Sequence, residues 1–141
     1  MLKVGVFDFA SKYVVPAIKK MLIGILYREY GFTQLTISRM LGVSQSSVSK
    51  NVSKYKLLAT ELGGLSSVEA AVRRLAEGLV NGDLRVKDLE LAIDVLALEL
   101  LREGHLCKYH SLISEDIKLD SCNLCRELFR ANVLGGGDAS V

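Results

Sequence analysis

Tryptophan is absent from this chain, proline occurs once, and aromatic residues make up 6% of it. With Pro16 the only proline, long stretches of helical apolar period run without a breaker, and we expect an all-α fold. Three cysteines, an odd number, do not make a disulfide framework, which points to a reducing, cytoplasmic setting. No cationic start followed by an apolar stretch and a small-residue cleavage site marks a secretory signal. No apolar run reaches membrane length, because Lys19 and Lys20 interrupt the first greasy segment and Asp94 and Glu99 a later one. A hydrolase triad, a phosphate-binding glycine loop and a carboxylate pair are all missing, so the chain does not read as an enzyme.

What remains is a chain of 141 residues, half of them hydrophobic, enough for one domain or two very small ones. The net charge of +2 says little, but its distribution says more. Residues 1–60 hold nine Lys/Arg against two Asp/Glu, whereas residues 61–141 hold nine against fourteen. A basic front half is the electrostatic footprint of a polyanion binder, and an acidic rear half should turn away from nucleic acid.

The basic half contains TQLTISRMLGVSQSSVSKNVSKY, residues 33–55. Leu35, Ile37, Met40 and Leu41 recur at helical spacing and can share one buried face. Gly42 follows at once, the residue that ends a helix in a left-handed conformation without steric cost. Val43 plugs the turn, and Ser44 can cap a second helix in which Val48 and Val52 face inward. Gln45, Ser46, Ser47, Ser49, Lys50, Ser53 and Lys54 are left outward. Small hydroxyls allow close approach to a base edge, Gln can bond adenine in bidentate fashion, and Lys can reach guanine or phosphate. The stretch resembles the helix-turn-helix of phage-repressor-like regulators, in which the second helix enters the DNA major groove. Gln34, Ile37, Ser38, Leu41, Gly42, Val43, Ser44, Gln45, Val48, Ser49 and Val52 match, with Ser38 standing where that family usually has Ala. We expect Gln45, Ser46, Ser49 and Lys50 to read bases, and Thr33, Gln34, Ser44 and Lys54 to fix the DNA backbone.

Ahead of this stretch, residues 1–10 fit an extended arm or an early helical turn. Ser11 looks like a cap and Pro16 belongs near a helix start. Val14, Val15, Ile18, Met21, Leu22, Ile25 and Leu26 then form a helical stripe closed by Gly31. Behind it, residues 56–65 read as a linker. Ser66 and Glu69 have capping-box spacing, and Val68, Ala71, Val72, Leu75, Leu79 and Val80 form the next stripe, ended by Asn81 and Gly82. The last long helix, Val86 to Glu103, has Val86, Leu89, Ile93, Leu96, Leu100 and Leu101 on one face. Leu91, Ala92, Val95, Ala97 and Leu98 widen that face beyond what one packing surface needs, and the excess points to a homodimer.

A second constellation follows Gly104. Cys107 and His110 are separated by two residues, as are Cys122 and Cys125, with eleven residues between the pairs. Such gaps let two side chains reach one metal, and two pairs complete a closed tetrahedron with no position open for substrate. All three cysteines fall in this cluster. Zn²⁺ suits the set, and an iron–sulfur cluster can also take thiolates with one His. The pair Cys122–Cys125 also admits a thiol–disulfide enzyme, but no thioredoxin-like strand–helix unit accompanies it.

Together these parts resemble archaeal transcriptional regulators of the phage-repressor-like class. The carrying motifs are VVPAIKK at residues 14–20, the helix-turn-helix, and the ending Leu106, Cys107, His110, Cys122, Leu124, Cys125. The resemblance spans about residues 11–126 and implies a DNA-binding, dimeric regulator. We expect a helix-turn-helix DNA-binding domain (1–60), a helical dimerisation and metal-binding region (61–131) and, from its small, Gly-rich composition, a disordered tail (132–141). The partners expected are double-stranded DNA and a second copy, with no membrane. A metal-stabilised adaptor docking on transcription machinery stands as an alternative.

Overall fold

The structure, a computed structural model, describes residues 5–53 and 66–104 together with Leu106, His110 and Leu128, the side chains of residues 50–53 and of Ser66 excepted. Among the described residues there are helices and no strands, so the all-α expectation holds. Helix α1 (Val6–Phe9), a π-helical turn (Ala10–Val14) and α2 (Val15–Arg28) run on without a break, each junction keeping right-handed helical dihedrals. They are followed by α3 (Gln34–Leu41), α4 (Gln45–Ser53), α5 (Ser66–Asn81) and α6 (Val86–Arg102).

Two expectations about the opening segment need correction. The helix begins at Val6, not after Ser11: Gly5 is extended, and its carbonyl accepts from the Phe9 N–H at 2.9 Å. Ser11 therefore sits inside the helix and donates its hydroxyl to the Asp8 carbonyl at 3.4 Å instead of capping. Pro16 lies about three turns in, where its ring would strike the Lys12 carbonyl and where it offers no N–H to that acceptor. The π-turn answers this constraint. The Val15 N–H reaches back five residues to the Ala10 carbonyl, and the wider turn makes room for the ring at one local irregularity.

Helix α2 is the axle. Ala17, Ile18, Met21, Leu22, Ile23, Gly24 and Leu26 are all buried on it, which is more than one stripe. A helix apolar around most of its circumference must be covered on several sides, and α2 packs against the π-turn, α3, α4, α5 and α6. From the other helices Ile37, Leu41, Val48, Val68, Val72, Ala76, Leu79, Leu89, Ile93, Leu96, Leu100 and Leu101 complete one continuous core. That core joins elements from both the basic and the acidic halves. The stripes expected on α5 and α6 face it, except Val80 and Val86, which are exposed. The α5–α6 turn folds back so tightly that the Leu84 N–H bonds the Gly78 carbonyl at 2.9 Å, and a Cβ at Gly78 would lie 3.1 Å from that of Leu84.

Charged links fasten the surface of this bundle. Lys19 on α2 pairs with Glu90 on α6 at 2.9 Å. Arg73 on α5 donates to Glu69 at 2.8 and 3.1 Å and to Glu29 just past the end of α2. Hydrogen bonds to Glu29 first and Glu69 second hold the Arg73 guanidinium above its ordinary, already high value. The link thus stays charged on the arginine side across the usable pH range. It is exposed, so salt weakens it.

Removing a core methyl cluster should separate this axle from the surface. Leu22→Ala should cost about 2–5 kcal/mol in urea unfolding, whereas Phe7→Ala, at a side chain 65% exposed, should stay within about 0.5 kcal/mol.

Candidate nucleic-acid interface and candidate metal centre

The stretch carrying the expected recognition residues folds as two short helices and a three-residue turn, and local chemistry explains each boundary. Thr33 caps α3: its hydroxyl oxygen accepts from the Thr36 N–H at 3.1 Å and lies 2.8 Å from the Thr36 hydroxyl. At the other end Gly42 is left-handed with φ 65°, and the Gly42 and Val43 N–H groups both donate to the Ser38 carbonyl. This is the double closure that a glycine C-terminus permits. Ser44 caps α4 as expected, accepting from the Ser47 N–H at 3.1 Å.

Ile37, Leu41 and Val48 are buried and pin the pair of helices to each other and to α2, with Val43 half-buried in the turn between them. Ser38 is buried as well, its hydroxyl turned onto the Leu35 carbonyl at 3.2 Å. A methyl-sized side chain is what close packing allows here, and the hydroxyl satisfies itself on its own helix. Leu35 departs from expectation: it is 43% exposed, because its position falls on the side of α3 away from Ile37 and Leu41. Met40 is half-buried against the core.

With the apolar side held inward, Gln45, Ser46 and Ser49 stand exposed on α4, as do Thr33 and Ser44, while Gln34 is partly covered. Lys50 lies on the backbone of α4 but its side chain, like the whole of Lys54, falls outside the described residues. The sequence did not show in full how far the two caps are already engaged, Thr33 beside the Thr36 hydroxyl and Ser44 within 3.2 Å of the Ser46 hydroxyl. Thr33 and Ser44 already accept from backbone amides, yet a hydroxyl that accepts can still donate its own proton outward. Thr36 and Arg39, exposed on α3 and three residues apart, were passed over in the sequence. The signal for them was their position off the face that carries Ile37 and Leu41.

Of the four expected metal ligands, Cys107, Cys122 and Cys125 fall outside the described residues, as does the 132–141 tail. His110 is described. It is 3% exposed, its N–H bonds the Leu106 carbonyl at 3.0 Å, and its ring stacks on Phe9 with centroids 4.6 Å apart and planes 6° from parallel. Stacking uses the ring face and coordination an in-plane nitrogen, so this placement is compatible with a ligand role. Among the described residues no group of metal-binding side chains gathers, and no helix there is long and apolar enough to cross a membrane.

Comparison with family models, with curated proteins and with solved structures finds no match to the chain.

The caps and the turn can be tested for stability independently of any ligand. Ser44→Ala should cost about 0.5–2 kcal/mol through the lost cap. Gly42→Ala, where the added Cβ meets nothing within 4 Å, should cost about 1–2 kcal/mol through left-handed backbone strain alone. Both are read as shifts in urea midpoint at unchanged slope.

Proposed function

We propose that the protein is a sequence-specific DNA-binding transcriptional regulator of the helix-turn-helix type, acting as a homodimer. The observation that carries this reading is the exposure of Gln45, Ser46 and Ser49 on a helix anchored from behind by buried Val48. A short polar helix held rigidly by its apolar side, within a segment of net charge +7 over residues 1–60, is what insertion into a major groove requires. In this reading Gln45, Ser46, Ser49 and Lys50 contact base edges. Thr33, Gln34, Ser44 and Lys54 hold phosphates, helped by Arg39 from α3. Phosphate contacts supply most of the affinity.

The second part of the proposal is a closed Cys₃His zinc site formed by Cys107, His110, Cys122 and Cys125. Its support is the donor set itself together with the burial of the one described ligand: a metal held partly by His110 would tie the C-terminal residues to Phe9 of α1. A bound zinc would contribute folding energy and no chemistry on a substrate.

Selection from random duplexes should enrich one motif. With about six phosphate contacts per dimer, the log–log salt slope should be about −5. Gln45→Ala should relax preference at one base-pair position at a cost of about 1–3 kcal/mol, while Lys54→Ala should weaken all sequences alike. Absence of any enriched motif would sink the base-reading claim.

Elemental analysis of protein purified without oxygen should give a colourless species with one zinc per chain, lost in Cys122→Ser. Iron and sulfide with visible absorption would replace the zinc site by an iron–sulfur cluster and a redox-sensing role.

A further inference from the structure

Helix α6 carries two apolar faces. Leu89, Ile93, Leu96, Ala97, Leu100 and Leu101 are buried in the core, while Leu91, Val95 and Leu98 are 67%, 46% and 36% exposed. The exposed trio is spaced by four and then three residues, and one further step either way reaches Asp88 and Arg102, both exposed. The alternation of four and three from 88 to 102 is a heptad seam, the spacing at which a helix meets a second helix along its length. The buried residues do not form this seam, and rotating α6 to cover it would expose Leu89 and Ile93.

The two ends of the seam have opposite charge, and that decides the occupant. A parallel copy would set Asp88 against Asp88 and Arg102 against Arg102. An antiparallel copy related by a two-fold axis at Val95 sets each Asp88 against the other chain's Arg102, with Leu91 facing Leu98 and Val95 facing Val95. We propose that α6 is the dimer interface of this protein, formed by antiparallel pairing of two copies along Asp88, Leu91, Val95, Leu98 and Arg102. This deepens the homodimer of the preceding section by naming the surface and its direction. A closed isologous contact follows, since the same patch serves both copies.

The test is sedimentation equilibrium of the full-length protein in the absence of DNA, so that pairing is read apart from nucleic-acid binding. The wild type should be a dimer. Asp88→Arg and Arg102→Asp should each raise the dimer dissociation constant about tenfold or more, since each turns two opposite-charge contacts into two like-charge ones. An equimolar mixture of the two variants should pair as a heterodimer with wild-type strength, because every contact across the seam is then opposite in charge. Val95→Glu, a change at an exposed position that leaves the helical circular dichroism intact, should give monomer. Single charge variants that dimerise as well as wild type would overturn the antiparallel seam. A wild type that stays monomeric at high concentration would overturn the interface altogether, leaving the face to a different partner or to the chain's own residues. Loss of pairing with retained weak DNA binding, or the reverse, tells failure of this proposal from failure of the DNA-binding reading.

Discussion

The burial of α2 on nearly all sides is the constraint from which the remaining features follow. A helix of fourteen residues with seven of them buried cannot rest in a two-helix hairpin. Each fully buried Leu or Ile is worth about 1.5–3 kcal/mol when removed from water, so every uncovered side of α2 would be costly. The chain answers with α3, α4, α5 and α6, all docked on one axle. The nine residues of α4 are too few for a stable helix in isolation. Its conformation is therefore borrowed from the contact of Val48 with the core. The polar surface it presents is rigid because its apolar side is committed.

Much of this arrangement was legible in the chain. The stripes Ile18–Met21–Leu22 and Val68–Val72–Leu79 repeat at the period of a helix face, and Gly42 followed by Ser44 names a turn and a cap by residue chemistry alone. The errors have equally local causes. Ser11 and Pro16 together look like a helix start because both residues favour the first turn. Here a helix already under way absorbs the proline through a π-turn, and what holds that early helix is the burial of Phe9, Ala10 and Val14 against α2's neighbours. No short-range signal announces such tertiary packing. Leu35 and Val86 were placed inward because a periodicity count treats every apolar residue alike, whereas Leu35 lies on the side of α3 away from Ile37 and Leu41, and Val86 is the first residue of α6, beyond the cover of the core.

Of the candidate recognition surface, residue types and order could be read from the sequence, but not the prior engagement of Thr33 and Ser44. Each hydroxyl accepts an amide of its own helix, so any outward bond it makes is from a group whose rotation is already restricted. Less side-chain freedom is then lost on meeting a ligand than a flexible surface lysine would lose. His110 shows the converse case. Its residue type suggested a ligand, yet its stack on Phe9 could not be foreseen, because about a hundred residues separate the two rings in sequence and only the fold brings them together.

The two surfaces proposed to act, the polar face of α4 and the apolar seam of α6, differ in physical kind. Contacts between lysines and phosphates draw their strength from released counterions, and they fade as salt rises. Burial of Leu91, Val95 and Leu98 against a second copy is a water-exclusion effect that salts such as sulfate strengthen, with only the flanking Asp88–Arg102 contacts screened. A homodimer built as proposed would hold together under conditions that strip it from DNA. Under that proposal the spacing between the two reading helices would survive each release from DNA, and no ordering of subunits would oppose the next binding event.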